Sequence, residues 1–173
     1  MSAPVAPNPH ARALLSGALA TLGLTAAHHA YGAVRYATPW RLHGAIVALG
    51  IGLVMAGVSS VYRRHLDTPL GRLAGWALAI MVLVFPVLVI GLFESLYNHV
   101  AKDVLFFSGA PRDLLARMFP PPTYEMPNDA WFELTGVLQV VPAALACGAL
   151  LRFVRALRAA GRMVRPLRAG ATG

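Results

Sequence analysis

The chain has 173 residues, of which 57% are hydrophobic and only 13% charged, and its mean hydropathy is +0.61. A soluble domain of this length cannot bury so much apolar surface, so the composition excludes an ordinary globular protein and indicates a membrane protein. The formal net charge of +8 is also typical of nucleic-acid binding. No reader module is present, however, and the basic residues lie where membrane topology alone would put them. We therefore expect no nucleic-acid partner.

Four stretches are long and apolar enough to be transmembrane helices, because a spanning helix needs roughly 20 mostly apolar residues. Pro86 and Pro142 lie inside two of them, which transmembrane helices tolerate, and the alternating pattern of a membrane barrel is absent. The predicted spans are about residues 13–34, 42–62, 73–97 and 131–153. The sequence thus predicts an all-α membrane protein, a four-transmembrane-helix bundle that forms one domain over residues 1–155.

Arginine and lysine divide unevenly between the two sets of loops. Ten of the fifteen fall on one side, and the positive-inside rule makes that side cytoplasmic. We therefore expect a multi-pass protein of the cell membrane, specifically an inner membrane, with both termini in the cytoplasm. The first span has an alternative interpretation as the hydrophobic part of a cleaved signal peptide, although it is long and its basic segment is weak for one.

The predicted cytoplasmic tail covers residues 156–173 and is strongly basic. Its arginines recur every three or four residues with apolar residues between them, which is typical of an amphipathic helix on a membrane surface. Anionic lipid attracts such a helix by about 1 kcal/mol for each basic residue near the surface. Beside the bilayer itself, anionic lipid at this tail is therefore an expected partner.

A stripe of small residues runs along the second predicted span at intervals of four. In a transmembrane helix, such a stripe permits a neighbouring helix to approach closely. We therefore expect it to face the interior of the bundle. Its members are Gly44, Ala48, Gly52, Ala56 and Ser60.

The longest predicted loop separates the third and fourth spans and covers residues 98–130. It contains a candidate amphipathic helix at residues 112–119, followed by the proline-rich segment Pro120–Pro127. Long loops are disproportionately functional. We expect this one to be extracytoplasmic and to cover a site or a partner surface.

All four predicted spans bring an ionisable residue to the outer layer of the membrane, when depth is counted at about 1.5 Å per residue. Such side chains usually face the bundle interior or a wet cavity. We expect Glu94, which follows a long uncharged stretch, to lie within reach of a first-span histidine. His99 is five residues from Glu94 and would point elsewhere on a continuing α-helix. The candidate metal ligands are His28, His29, His43, Glu94, His99 and Glu133.

Three functional hypotheses follow from this pattern. Histidine and carboxylate ligands suit zinc, iron or copper, and two facing histidines suit haem, so the cluster predicts a metal ion or haem for redox or metal-handling work. The chain could instead be a non-enzymatic accessory or assembly subunit that docks onto other membrane subunits, with histidines that only satisfy one another. The third hypothesis is a small-solute or proton transporter, with Gln139 as its polar residue near the midplane. The sequence has no hydrolase, kinase or nucleotide-binding motif, and whether the chain is an enzyme stays open.

Overall fold

The computed structural model describes the backbone of residues 8–169 and the side chains of residues 8–160, and every regular element in this part is helical. The third long stretch is continuous: α3 passes into a π-helical segment, Leu83–Ala101, and then into α4. A short 3-10 helix, Pro39–Arg41, leads into α2. The α-helices are α1 (Ala11–Arg35), α2 (Leu42–Arg64), α3 (Pro69–Val82), α4 (Lys102–Phe107), α5 (Arg112–Met118), α6 (Ala130–Leu138) and α7 (Val140–Ala169).

Three helical stretches are long and apolar enough to cross a membrane: Pro39–Arg64, Pro69–Phe107 and Ala130–Ala160. Helix α1 has 25 residues, but polar residues such as His28 and His29 make it less apolar, and it does not join this set. The predicted all-helical fold is confirmed, and membrane-spanning character is found for three of the four predicted spans.

The third stretch reaches Phe107, ten residues beyond the predicted end at Tyr97. The connection to α6 is therefore shorter than predicted. It still contains the expected short helix, which is α5. The fourth stretch continues without a long interruption into α7, whose helical backbone extends to Ala169. The side chains of the tail beyond residue 160 lie outside the described residues, so the lipid-facing amphipathic helix stays a prediction.

Two prolines account for the changes in helix geometry. Pro86 and Pro142 each lack the N–H that would bond the carbonyl four residues earlier, and each ring crowds that carbonyl. The carbonyls concerned belong to Val82 and Leu138, and these are the residues at which α3 and α6 end. After Val82 the chain takes the π-helical pattern, in which each N–H bonds the carbonyl five residues back. This segment contains Glu94 and His99, two residues of the site described below.

Glycines allow the helices to approach closely. Helix α1 packs mainly against α2 and α7, and the π-helical segment packs against α7 and α3. A Cβ atom at Gly17 would lie 3.0 Å from the backbone nitrogen of Ala146, and one at Gly91 would lie 2.7 Å from the Cβ of Ala143. The largest fully buried apolar side chains among the described residues are Phe119, Phe153, Leu14, Leu22, Met55 and Leu78.

The predicted stripe on α2 faces its neighbours in part. Ala48 and Gly52 are buried, and a Cβ atom at Gly52 would lie 3.8 Å from Cδ1 of Leu22 in α1. Gly44 lies against the ring of His29, where a Cβ atom would be 2.6 Å from Nδ1. Ala48 and Gly52 thus let α2 lie close to α1, and the lack of a side chain at Gly44 leaves room for the ring of His29.

Candidate metal centre

Glu94 is the centre of a group of three histidines. Its Oε1 atom lies 3.9 Å from Nε2 of His28, 3.5 Å from Nε2 of His29 and 3.9 Å from Nε2 of His99. Its other oxygen, Oε2, accepts a hydrogen bond of 2.8 Å from Nδ2 of Asn98. The expected contact between Glu94 and the first-span histidines is confirmed. One ligand atom from each of His28, Glu94 and His99 lies within 4.8 Å of the other two, so this group could hold a metal ion.

The π-helical pattern explains why Glu94 and His99 meet. On an α-helix, neighbours on one face are three or four residues apart, and residues five apart diverge. When each N–H bonds five residues back, residues five apart are brought together instead. The expectation that His99 points away from Glu94 was therefore wrong, because it assumed an α-helix through residues 94–99.

A carboxylate on α6 holds His99 in place. Oε2 of Glu133 lies 2.7 Å from Nδ1 of His99, and both Glu133 oxygens lie 3.1 Å from Nζ of Lys102. Lys102 is only 2% exposed and also donates a hydrogen bond of 2.8 Å to the carbonyl of Glu125. Because Lys102 donates to both Glu133 oxygens, the Glu133 carboxylate acts as an acceptor. The proton shared with His99 therefore resides on Nδ1 of the imidazole.

The hydroxyl of Thr135 orients His28 in the same manner. Oγ1 of Thr135 donates its one proton to a backbone carbonyl of its own helix, 2.9 Å away at Trp131 or 3.1 Å away at Phe132. It therefore accepts the hydrogen bond of 3.0 Å from Nδ1 of His28. The His28 ring also stacks on Phe132, with centroids 4.2 Å apart. Thr135 and Phe132 of α6 thus fix the orientation of the His28 ring, and the hydrogen bond to Thr135 also fixes its tautomer.

These two hydrogen bonds decide what the centre can do chemically. With Nδ1 as the donor in both of these hydrogen bonds, Nε2 is the ring nitrogen left to bind a metal on His28 and on His99. Each Nε2 lies 3.9 Å from Oε1 of Glu94, and the ligand atoms of the three residues all lie within 4.8 Å of one another. Such an arrangement is stabilised by a cation between the donors. Metal-binding histidines in proteins usually donate their other ring N–H to a neighbouring acceptor, which fixes the tautomer, and both His28 and His99 have such an acceptor.

The remaining two candidate ligands take other positions. Glu133 is not a member of the converging group; it contacts His99 at Nδ1, the ring nitrogen that does not face Glu94. His43 is exposed, and its Nδ1 lies 3.0 Å from the carbonyl oxygen of Trp40. It belongs to the same layer as the group, because the next residue, Gly44, touches His29. The side chain of His43 nevertheless points outward.

A cavity of about 190 Å³ opens beside the group. His29, Glu94 and His99 line one part of it, and Thr123, Tyr124 and Glu125 of the predicted proline-rich segment line another. The remaining lining residues are Trp40, Arg41, Phe93, Asn98, Lys102 and Phe132. The predicted role of this loop as a cover over a site agrees with this placement.

Sequence reasoning did not assign a role to Lys102, Thr135 or Arg41, which all contact the centre or its cavity. Arg41 is buried, with Nη2 3.7 Å from Oε1 of Glu125 and Nε 2.9 Å from Oγ1 of Thr38. The usable signal was spacing: Lys102 lies three residues after His99, and Thr135 lies two after Glu133. Their importance depends on which helices face each other, which spacing alone does not give.

An ion pair lies beside Phe132, one of the residues that line the cavity. Asp129 caps α6 by accepting a hydrogen bond of 2.9 Å from the backbone N–H of Phe132, and it lies 2.7 Å from Nε of Arg35. These two donors hold the pKa of Asp129 below its usual value. Burial raises the pKa of Tyr36 to about 12, with a further contribution from nearby carboxylates. Tyr36 is therefore a neutral phenol that donates to Oδ1 of Asn128 at 2.8 Å.

In the part of the chain that the structure describes, every regular element is helical, three helices are long and apolar enough to cross a membrane, and a buried group of His28, Glu94 and His99 could hold a metal ion. Comparison with protein-family models, with curated proteins and with solved structures finds no match in any of the three. Functional conclusions about this chain therefore depend on its own residues.

Proposed function

We propose that this is a multi-pass protein of the cell membrane and a four-helix bundle. In this bundle α1 crosses the membrane together with the three more apolar helical stretches. Helix α1 has the length to span a bilayer and is packed against two of the apolar helices. The outside of the molecule carries large apolar side chains, such as Ile46, Leu53 and Leu73, which are 67%, 76% and 67% exposed. Lipid contact removes the cost of exposing them to water. The arginine bias places both termini, and the lipid-binding tail, in the cytoplasm.

The function proposed for this bundle is binding of a transition-metal ion near its outer face for redox or metal-handling work. One observation carries the proposal: Nε2 of His28, Nε2 of His99 and Oε1 of Glu94 converge, and each of the three side chains is held by a hydrogen bond through its other polar atom. Zinc and iron bind such donors at about 2.0–2.2 Å. The donors therefore need to close by only a few tenths of an ångström around an ion.

The donor set favours one class of metal over others. Two imidazoles and one carboxylate with free positions suit iron(II), and the same ligands suit zinc and copper. Calcium and magnesium prefer oxygen ligands alone. Haem fits less well, because the rings of His28 and His99 are in edge-to-face contact with centroids 4.7 Å apart. A porphyrin between two axial histidines would need to separate these rings.

Elemental analysis of the purified protein in detergent tests the proposal. We expect iron, zinc or copper in a stoichiometric amount, and we expect Glu94→Gln to lose most of it while the protein remains folded, because the amide keeps the shape and removes the charge. His43→Ala is the matched control: its side chain is exposed and outside the group, so its metal content should equal that of the wild type. Substoichiometric metal in the wild type, or equal metal in Glu94→Gln, would favour the accessory-subunit hypothesis instead.

A further inference from the structure

Asn98 places an unused acceptor next to the candidate metal. Its Nδ2 donates to Oε2 of Glu94 at 2.8 Å, and this bond to a carboxylate fixes which end of the amide is nitrogen. The opposite end, Oδ1, is buried and has no hydrogen-bond partner among the described residues. The residue is 8% exposed and lines the cavity beside Glu94 and His99. A buried acceptor left in this state is destabilising, so it indicates a ligand that brings a proton.

The charges around the cavity indicate what kind of ligand this is. Lys102 is paired with Glu133 and lies 4.0 Å from Asp103, and Arg41 lies beside Glu125. Glu94, the one carboxylate in the candidate ligand set, supplies one negative charge against the two positive charges of a divalent ion. Hydroxide, formed when metal-bound water gives up one proton to bulk water, meets both requirements, because it carries a negative charge and keeps its other proton for Asn98. The cavity volume of about 190 Å³ is below the range of about 300–1,000 Å³ that is usual for drug-sized ligands.

We infer that a metal ion held by His28, Glu94 and His99 keeps a coordination position open to the cavity, and that water or hydroxide occupies this position with its proton accepted by Oδ1 of Asn98. This inference rests on the proposed metal site. Three protein ligands with one bound water characterise catalytic rather than structural metal sites. The class of chemistry is then the activation of water toward a small substrate that enters under the Thr123–Glu125 segment.

The test uses the full-length protein in detergent, loaded with Co²⁺ in place of the native metal. Stoichiometric Co²⁺ uptake is measured first, so that failure of the metal site itself is seen separately. The EPR signal of bound Co²⁺ is then recorded in ordinary water and in water enriched in a magnetic oxygen isotope. We expect the enriched water to broaden the signal. A Co²⁺-loaded protein without broadening would show that the open position does not exist.

Azide then tests the part played by Asn98, because azide is an anion without a proton and competes with water for the metal. We expect azide to change the visible spectrum of the Co²⁺ protein. In Asn98→Ala, water loses its acceptor, so azide should bind about tenfold more tightly. If Asn98 serves only to orient Glu94, the same substitution should leave azide affinity unchanged or weaken it, and either result overturns the inference. Asn128→Ala, which removes an asparagine outside the cavity, should bind azide as the wild type does.

Discussion

Gly136 offers a sharp test of the site geometry, because it lies on α6 directly against the ring of His99. A Cβ atom there would come closer than 3.0 Å to Cγ, Cδ2 and Cε1 of that ring, whereas ordinary contacts begin at 3.4 Å. In Gly136→Ala the ring must therefore retreat by at least about 0.4 Å. Metal–ligand distances tolerate about 0.2 Å, so the displacement exceeds what a metal site accepts. The ring is also held by Glu133 and cannot move freely.

We expect Gly136→Ala to lower metal affinity by at least about tenfold, the lower end of the loss seen when the surroundings of a metal ligand are disturbed. Overpacking should also destabilise the fold by about 1–3 kcal/mol. Metal titration and thermal unfolding in detergent measure the two effects. Gly23→Ala is the matched control, since a Cβ at Gly23 meets nothing within 4 Å. Equal metal affinity in the two variants would refute the placement of His99.

Three further outcomes are expected. A reporter at the carboxyl terminus should read cytoplasmic and one within Pro120–Pro127 extracytoplasmic; the reverse result would overturn the orientation. Gly52→Leu should lower the melting temperature more than Leu53→Ala, because Gly52 is buried and Leu53 is 76% exposed; the opposite ranking would place the small-residue stripe against lipid. Asp129→Ala should be less stable than wild type near neutral pH. Since the folded-state pKa of Asp129 is lowered, the ion-pair part of this difference should fade as pH falls from the unfolded value of about 3.9 through the folded one. If the stability difference between the wild type and Asp129→Ala stays the same at low pH, it comes from helix capping by the protonated side chain and not from the ion pair.

The sequence was sufficient for the parts of the fold that depend on local pattern. Apolar length predicted the helices, and the depth count placed Glu94 near the first-span histidines. The extra length of the third helix was missed because Lys102 and Asp103 look like loop residues after an apolar run. In the structure Lys102 is buried against Glu133, and that partner lies 31 residues away in the chain. Such a pairing depends on tertiary packing.

The meeting of Glu94 and His99 was missed for a different reason. Periodicity arguments assume an α-helix, and Pro86 lies only one turn after the point at which the hydrogen-bond pattern changes. The presence of the proline predicts a disturbance, but not whether the chain kinks or shifts to a wider turn. The direction of His43 was likewise open, because the rotation of α2 is set by contacts of Gly44 and Gly52 with α1.

X-ray absorption at the edge of the bound metal tests the central claim most directly, because it reports the number and type of ligands. We expect two imidazole nitrogens, a carboxylate oxygen and a further oxygen ligand at about 2.0–2.2 Å, and one imidazole fewer in His28→Ala. A spectrum without imidazole scattering, or one that is the same in the wild type and in His28→Ala, would contradict a metal centre built on His28, Glu94 and His99.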